Sequence, residues 1–182
     1  MTCIAGITHN GVVHISGDSA GVAGLDMRIR RDSKVFTNGQ FVFGCTTSFR
    51  MIQLLRYALT VPKRHPDMDV MTFMTTTFID SVRATLKSGG FCNINNNVES
   101  GGTFLVGHAG RLFAVYSDFQ VEETNDLFNA CGCGETYALA SLFSTSGSTL
   151  TPTERLTAAL ECAAHFSAGV IGPFVHEQGG AA

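Results

Sequence analysis

Residues 1–21 read MTCIAGITHNGVVHISGDSAG, and this opening stretch carries the clearest structural signals of the chain. Residues 2–8 contain β-branched side chains at a density typical of a strand. Asn10-Gly11, which follows, is among the strongest signals for a two-residue hairpin turn, and residues 11–18 have the composition of a returning strand. The fold is therefore expected to begin with a β-hairpin that starts almost at the first residue.

The same patterns, read along the rest of the chain, predict strands, two helices, strands, two helices and a last strand. The predicted strands are residues 2–8, 11–18, 33–37, 41–46, 102–109, 111–117, 119–123, 127–132 and 169–178. The predicted helices are residues 49–61 (capped by Ser48), 70–87 (capped by Asp67 or Asp69), 135–143 and 152–166 (capped by Thr151). Such clustering favours an α+β fold, with antiparallel sheets covered by helix layers, in a single domain over residues 1–182.

Composition excludes several classes of function. The net charge is −3, and the basic clusters at 28–31 and 63–65 are too short to attract a polyanion, so no nucleic acid is expected as a partner. No apolar run is long enough to span a membrane and no signal peptide is recognisable, which predicts a cytoplasmic protein without membrane contacts. With 45% hydrophobic and only 15% charged residues, the chain is expected to cover part of its surface in a homo-oligomer.

The cysteines and histidines do not form a metal-binding pattern. Six cysteines lie at irregular spacings within apolar stretches, as buried thiols do in a reducing compartment. Cys131-Gly-Cys133 is not completed by a second cysteine pair or by spaced histidines, so it does not predict zinc.

Thr2 is the residue best suited to act as a catalytic group. Loss of Met1 would give it a free α-amine beside its hydroxyl, and an amine with a reference pKa of about 7.7 to 8.0 is a base close to working pH. Asp18 ends the strand that pairs with the first one, Lys34 opens a later strand, and Gly44 ends an apolar strand. These positions would supply an orienting carboxylate, a positive charge and a backbone N–H for an oxyanion.

The chain resembles the proteasome β-subunits and the related HslV peptidases. The resemblance lies in Thr2, Gly17-Asp18 and Lys34-Val35-Phe36 at the separations of that family. It continues in Phe43-Gly44 before the first long helix, in residues 130–134 (ACGCG) with Tyr137-Ala138, and in residues 163–170 (AAHFSAGV), so it extends over nearly the whole chain.

The resemblance implies the four-layer αββα sandwich of N-terminal nucleophile hydrolases and a threonine-type peptidase that needs no organic cofactor or metal. Thr2 would be the nucleophile and base, Asp18 and Lys34 its electrostatic partners, and Gly44 the oxyanion donor. It further implies polypeptide substrates, a ring-forming homo-oligomer and a separate ATP-dependent unfoldase. The nucleotide-binding motif GxxxxGK[ST] does not occur in this chain.

Two residues depart from the family pattern. Cys133 stands where the family has a serine that bonds the terminal amine, and Ala164 stands where many members have an aspartate. A thiol forms weaker hydrogen bonds than a hydroxyl, so these departures leave room for a catalytically silent shell protein, or a small-molecule amidohydrolase, on the same fold.

Other assignments of the single residues stay open from sequence alone. Cys3 is a rival N-terminal nucleophile, although an extended strand would turn it to the opposite face from Thr2. The plain structural interpretations are a strand start for Thr2, a turn for Asp18, a solvated charge for Lys34, a bend for Gly44 and a core filler for Cys133.

Overall fold

A computed structural model describes residues 1–181 as two antiparallel sheets packed face to face, with helices on both outer sides. The strands are β1 (Cys3–His9), β2 (Val12–Gly17), β3 (Ala20–Ala23), β4 (Asp26–Ile29), β5 (Val35–Asn38), β6 (Phe41–Cys45), β7 (Asn93–Asn95), β8 (Val98–Ser100), β9 (Phe104–His108), β10 (Arg111–Val115), β11 (Val121–Glu122), β12 (Phe128–Gly132) and β13 (Val175–Gly179). The helices are α1 (Phe49–Gln53), α2 (Val70–Phe73), α3 (Ile79–Ser88), α4 (Glu135–Ser144) and α5 (Pro152–Phe166).

Two large sheets form the centre of the molecule. The first has the strand order β12-β1-β2-β13 and the second has the order β11-β10-β9-β6-β5. Three buried apolar clusters separate the layers: one between the second sheet and α1 to α3, one between the first sheet and α4 with α5, and one between the two sheets. This arrangement confirms the predicted four-layer αββα sandwich.

Local sequence signals explain most of the element boundaries. Asn10 and Gly11 both have positive φ, as a tight hairpin turn requires, and this turn fixes the register in which Ile4 lies opposite Gly17. Of the two proposed caps for the second helix, Asp69 is the one used, because its carboxylate accepts the Thr72 N–H at 2.9 Å.

The first two helices differ from expectation in their internal geometry. α1 continues as π-helical turns over Leu54–Ala58, and π-helical turns over Met74–Phe78 join α2 to α3. A wider turn of this kind shifts the apolar face, and both segments carry buried side chains that pack on the second sheet.

Three regions differ from the predicted elements. The chain forms two small hairpins, β3–β4 and β7–β8, where no strands were predicted. The last strand begins at Val175 rather than at residue 169, because Pro173 has no N–H to offer a sheet. No helix of residues 1–181 is both long and apolar enough to cross a bilayer.

Candidate active site

The fold brings Thr2, Asp18 and Lys34 together at one end of the two sheets. Thr2 directly precedes β1, Asp18 directly follows the paired strand β2, and Lys34 directly precedes β5 in the facing sheet. All three are buried, with exposed fractions of 7%, 1% and 2%. The predicted grouping of these residues is thus what the strand register produces.

Lys34 and Asp18 form a buried ion pair. The Lys34 Nζ lies 2.9 Å from each carboxylate oxygen of Asp18. The carboxylate also accepts the backbone N–H of Cys3 at 3.0 Å and that of Ala20 at 3.3 Å, so its orientation is fixed from several directions. Burial lowers the pKa of Lys34 from its ordinary value, and the Asp18 carboxylate opposes that shift.

In the chain that retains Met1, both the N–H and the carbonyl of Thr2 form hydrogen bonds. Its carbonyl accepts the Cys133 N–H at 2.8 Å, and its own N–H donates to the Cys133 Sγ at 3.3 Å. The Thr2 Oγ1 donates to the Met1 carbonyl at 2.5 Å, and the Lys34 Nζ lies 3.5 Å from that same oxygen. Because Thr2 N is an amide here, it has no basic lone pair until Met1 is removed.

Met1 itself lies at the surface, with 58% of its area exposed. A Cβ at Gly169 would come within 2.5 Å of the Met1 Cβ and 2.8 Å of the Cys133 Sγ. The absence of a side chain at residue 169 therefore makes room for the first residue and the thiol beside Thr2.

Cys133 and Ser167 form the exposed side of the site. The Ser167 Oγ donates to the Cys133 Sγ at 3.5 Å, so the thiol lies between that hydroxyl and the Thr2 nitrogen. The Cys133 thiol therefore lies directly beside the Thr2 nitrogen. Ser167, which directly follows α5, was not singled out by the sequence analysis. Ala164 lies on α5 in the helix-side cluster and supplies no carboxylate.

The prediction that Gly44 supplies the oxyanion donor is wrong. A Cβ at Gly44 would lie 2.4 Å from Ile4 and 2.5 Å from Ile15, which places this residue between the sheets and not in the pocket beside Thr2. The Thr46 N–H donates to the Thr103 carbonyl. In an antiparallel sheet, the N–H groups of residues two apart point to the same neighbouring strand. The Gly44 N–H therefore points to β9, opposite Leu105.

Thr47 is a pocket residue that the sequence analysis did not single out. It lines the pocket together with Thr2 and has a φ of +60°, which turns the chain sharply between β6 and α1. Within residues 1–181 its N–H makes no hydrogen bond, whereas the neighbouring N–H groups of Thr46 and Ser48 are both used. Its hydroxyl accepts the Thr103 N–H at 3.1 Å, which holds the turn in place.

The rival nucleophile Cys3 does not fit the site. It is fully buried and belongs to the cluster beneath α4 and α5, on the opposite face of β1 from the pocket. Burial, assisted by the Asp18 carboxylate, raises the pKa of Cys3 to about 12, so its thiolate is suppressed.

The pocket beside Thr2 has a volume of about 90 Å³. It is lined by Met1, Thr2, Val22, Lys34, Thr46, Thr47, Ser48, Phe49 and Ile52. In the part of the chain that the structure describes, no group of three His, Cys, Asp or Glu side chains is arranged to hold a metal ion. The pocket brings together a hydroxyl and a buried ammonium, and removal of Met1 would add a basic nitrogen at Thr2.

Comparisons with known proteins identify the fold. No family model and no curated protein sequence matches the chain. Among solved structures, Thiobacillus denitrificans BPH in complex with epoxomicin matches with a TM-score of 0.81 at 18% identity, over 97% of both chains. HslV from Trypanosoma brucei matches with a TM-score of 0.68 at 14% identity, over 97% of this chain and 98% of that one.

Anbu, described as an ancestral beta-subunit, from Yersinia bercovieri matches with a TM-score of 0.65 at 16% identity, over 98% of this chain and 81% of that one. Identities this low establish the fold and nothing finer. The chain thus has the fold of the proteasome-type N-terminal nucleophile hydrolases.

Proposed function

We propose that this chain is a threonine-type peptidase that uses Thr2, once Met1 is removed, as both nucleophile and base. The observation that supports this most directly is the buried Lys34–Asp18 pair, whose Nζ lies next to the first residues of the chain. A buried ammonium disfavours protonation of a neighbouring amine, which keeps that amine available as a base.

The reaction begins when the Thr2 amine takes the proton of its own Oγ1, which attacks the substrate carbonyl carbon. The resulting oxyanion is stabilised by the N–H of Thr47, which lines the pocket and makes no hydrogen bond within residues 1–181. The amine then gives its proton to the leaving nitrogen, and the C–N bond breaks to leave an ester on Thr2. A water molecule, deprotonated by the same amine, hydrolyses the ester and restores the hydroxyl.

Cys133 and Ser167 orient the amine in this scheme. The Cys133 Sγ lies within hydrogen-bond reach of Thr2 N, and Ser167 supports the thiol from its other side. Asp18 holds Lys34 in place through both carboxylate oxygens.

Polypeptides are the proposed substrates, and the proposed setting is a ring-forming homo-oligomer in the cytoplasm that receives them from a separate ATP-dependent unfoldase. The exposed apolar side chains of this single chain, which include Tyr57, Leu127 and Phe143, agree with faces that copies of it cover.

The test compares two preparations of the chain: one that keeps Met1, and one released from a cleavable tag so that Thr2 is the first residue. The second should cleave casein and the first should not, because an amide nitrogen cannot act as the base. Thr2→Ser should keep measurable turnover and Thr2→Ala should lose it. Thr8→Ala, a change at a threonine outside the pocket, is the matched control and should behave as wild type.

The alternative is a silent shell protein, for which the support is the thiol of Cys133 beside the Thr2 nitrogen, a weaker hydrogen-bond partner than a hydroxyl. If the chain that begins at Thr2 forms an oligomer but cleaves neither casein nor small amides, the chain is a silent shell protein. Cleavage of small amides alone would favour the amidohydrolase.

A further inference from the structure

A second cleft adjoins the pocket at Thr2. It lies between the β3–β4 hairpin and the start of α1 and has a volume of about 390 Å³. Val22 and Phe49 line both this cleft and the pocket that contains Thr2, so the two form one continuous surface. A chain bound at Thr2 can therefore extend along the hairpin.

The hairpin presents charged side chains to this cleft. Arg28 lies opposite Gly21, and Asp26 lies opposite Ala23. Because side chains alternate along a strand, Asp26, Arg28 and Arg30 share one face, and all three line the cleft. The order runs from Arg30 at the base of the hairpin, through Arg28, to Asp26 near its tip.

Arg30 is already committed to structural contacts. Its Nε and Nη2 donate to the two carboxylate oxygens of Asp32 at 2.7 and 2.5 Å, and its guanidinium lies 3.7 Å from the centre of the Phe49 ring. A Cβ at Gly21 would lie 2.9 Å from the Arg30 Cδ, so the glycine allows Arg30 to cross β3 and reach that ring. Arg30 therefore forms the wall of the cleft, and its charge is already paired with that of Asp32.

Arg28 differs from Arg30 in having no partner. Within residues 1–181 its guanidinium forms neither a hydrogen bond nor an ion pair, and its side chain is exposed. A free guanidinium matches the geometry of a carboxylate, with which it can form two parallel hydrogen bonds. Asp26 stands farther out, so the first unpaired charge beyond the Thr2 pocket is positive.

We propose that Arg28 makes this cleft selective for polypeptide segments that carry an Asp or Glu carboxylate within three residues of the scissile bond. The proposal rests on the function proposed above and assigns its substrate preference. Arg28 acts as a specificity-determining residue and takes no part in the bond chemistry.

Fluorogenic peptides that differ in one residue test the preference. Glu, Gln or Lys is placed in turn at the first, second or third position before the scissile bond, and kcat/KM is measured. At one position the Glu peptide should exceed the Gln peptide by about two- to fivefold, the range expected of a solvent-exposed ion pair. Arg28→Ala should abolish this ratio, and Arg28→Glu should reverse it in favour of the Lys peptide.

Two controls separate the cleft from a general charge effect and from the chemistry. Arg31→Ala removes an equal charge from an exposed residue next to the cleft and should leave the ratio intact. The rate at which an uncharged epoxyketone labels Thr2 should be the same in wild type and in both Arg28 variants.

Each outcome decides one of the two proposals. Turnover with equal Glu and Gln rates, or a ratio that Arg31→Ala abolishes as fully as Arg28→Ala does, overturns the role of Arg28 and leaves the peptidase intact. Absence of both turnover and labelling in a chain that begins at Thr2 overturns the peptidase, and the specificity proposal with it.

Discussion

The two sides of Thr2 are built in different ways. On one side the Lys34–Asp18 pair is almost completely buried, with both N–O contacts at 2.9 Å. On the other side an exposed thiol makes contacts of 3.3 and 3.5 Å to Thr2 N and Ser167. The buried side is fixed by strand ends and by backbone donors, whereas the exposed side depends on weak, adjustable hydrogen bonds. Loss of the buried side should therefore abolish activity, and changes on the exposed side should only tune it.

The largest effect should come from Lys34→Met, which leaves the Asp18 carboxylate buried without its partner. Breaking a buried pair in this way costs about 3 to 5 kcal/mol of unfolding free energy. Turnover should fall by at least about 100-fold, since the charge that keeps the amine neutral is gone. Urea unfolding and casein cleavage measure the two effects.

The double variant Lys34→Met/Asp18→Asn separates stability from chemistry. It should regain much of the lost stability, because no uncompensated charge remains, and yet stay inactive. Lys87→Met, a change in an exposed pair with Glu99, is the control and should leave both properties nearly unchanged. An active double variant would contradict the role assigned to Lys34.

Gly44→Ala sharpens the distinction between the site and the core behind it. The new Cβ would meet Ile4 and Ile15 between the sheets, and overpacking of this kind costs about 1 to 3 kcal/mol. Turnover per folded molecule, measured well below the unfolding temperature, should remain close to that of wild type. A selective loss of kcat without loss of stability would show that residue 44 affects the site rather than the core.

Cys133→Ser tests the exposed side. A hydroxyl is a stronger hydrogen-bond partner than a thiol, so we expect turnover to rise by about threefold, while Cys133→Ala should lower it. Cys92→Ser, at a cysteine outside the pocket, serves as the matched control. Equal activity of the Ser, Ala and Cys proteins would show that residue 133 does not orient the amine.

The smallest effect is expected at His108, a buried neutral group that can be compared with the buried Lys34–Asp18 ion pair. It is 4% exposed and stacks on Phe41 at 4.2 Å, and neither ring nitrogen has a partner within residues 1–181. Burial, with a further contribution from Arg64, lowers the pKa of His108. Its stabilising contribution is therefore complete above the unfolded-state pKa of about 6.5 and is lost progressively as the pH falls toward the lower, folded-state pKa.

His108→Phe should flatten this acid-side loss while keeping the aromatic stack. The measurement is the free energy of unfolding of both proteins at pH 7.5 and pH 5. His14 and His176, whose pKa values burial also lowers, are present in both proteins, so their contributions cancel in the difference. An identical pH dependence in the two proteins would contradict this assignment.

The predictable part of the site is the part set by strand register. Asp18 and Lys34 stand at strand ends, so their spacing from Thr2 along the chain translates directly into proximity in space. The antiparallel sheets with their helix layers were predictable for a related reason, since strong turn signals such as Asn10-Gly11 and helix caps such as Thr151 mark the ends of the elements. The four-layer order itself followed from the family resemblance.

The parts that sequence missed depend on irregular backbone. Thr47 rather than Gly44 lines the pocket because the chain runs past β6 before it turns, and a threonine at positive φ gives no glycine signal. Ser167 reaches the site only through the packing of α5 against the first sheet. The β3–β4 hairpin lacks regular alternation, so neither it nor the cleft beside it was foreseen.

Covalent labelling tests the central claim, that the first residue is the reactive centre, most directly. The chain that begins at Thr2 is incubated with epoxomicin, digested and mapped by mass spectrometry. One adduct is expected, on the N-terminal peptide at Thr2, and it should disappear in Lys34→Met and in the chain that keeps Met1. An unmodified Thr2, or an adduct at Cys3 or Cys133 instead, would contradict the central claim.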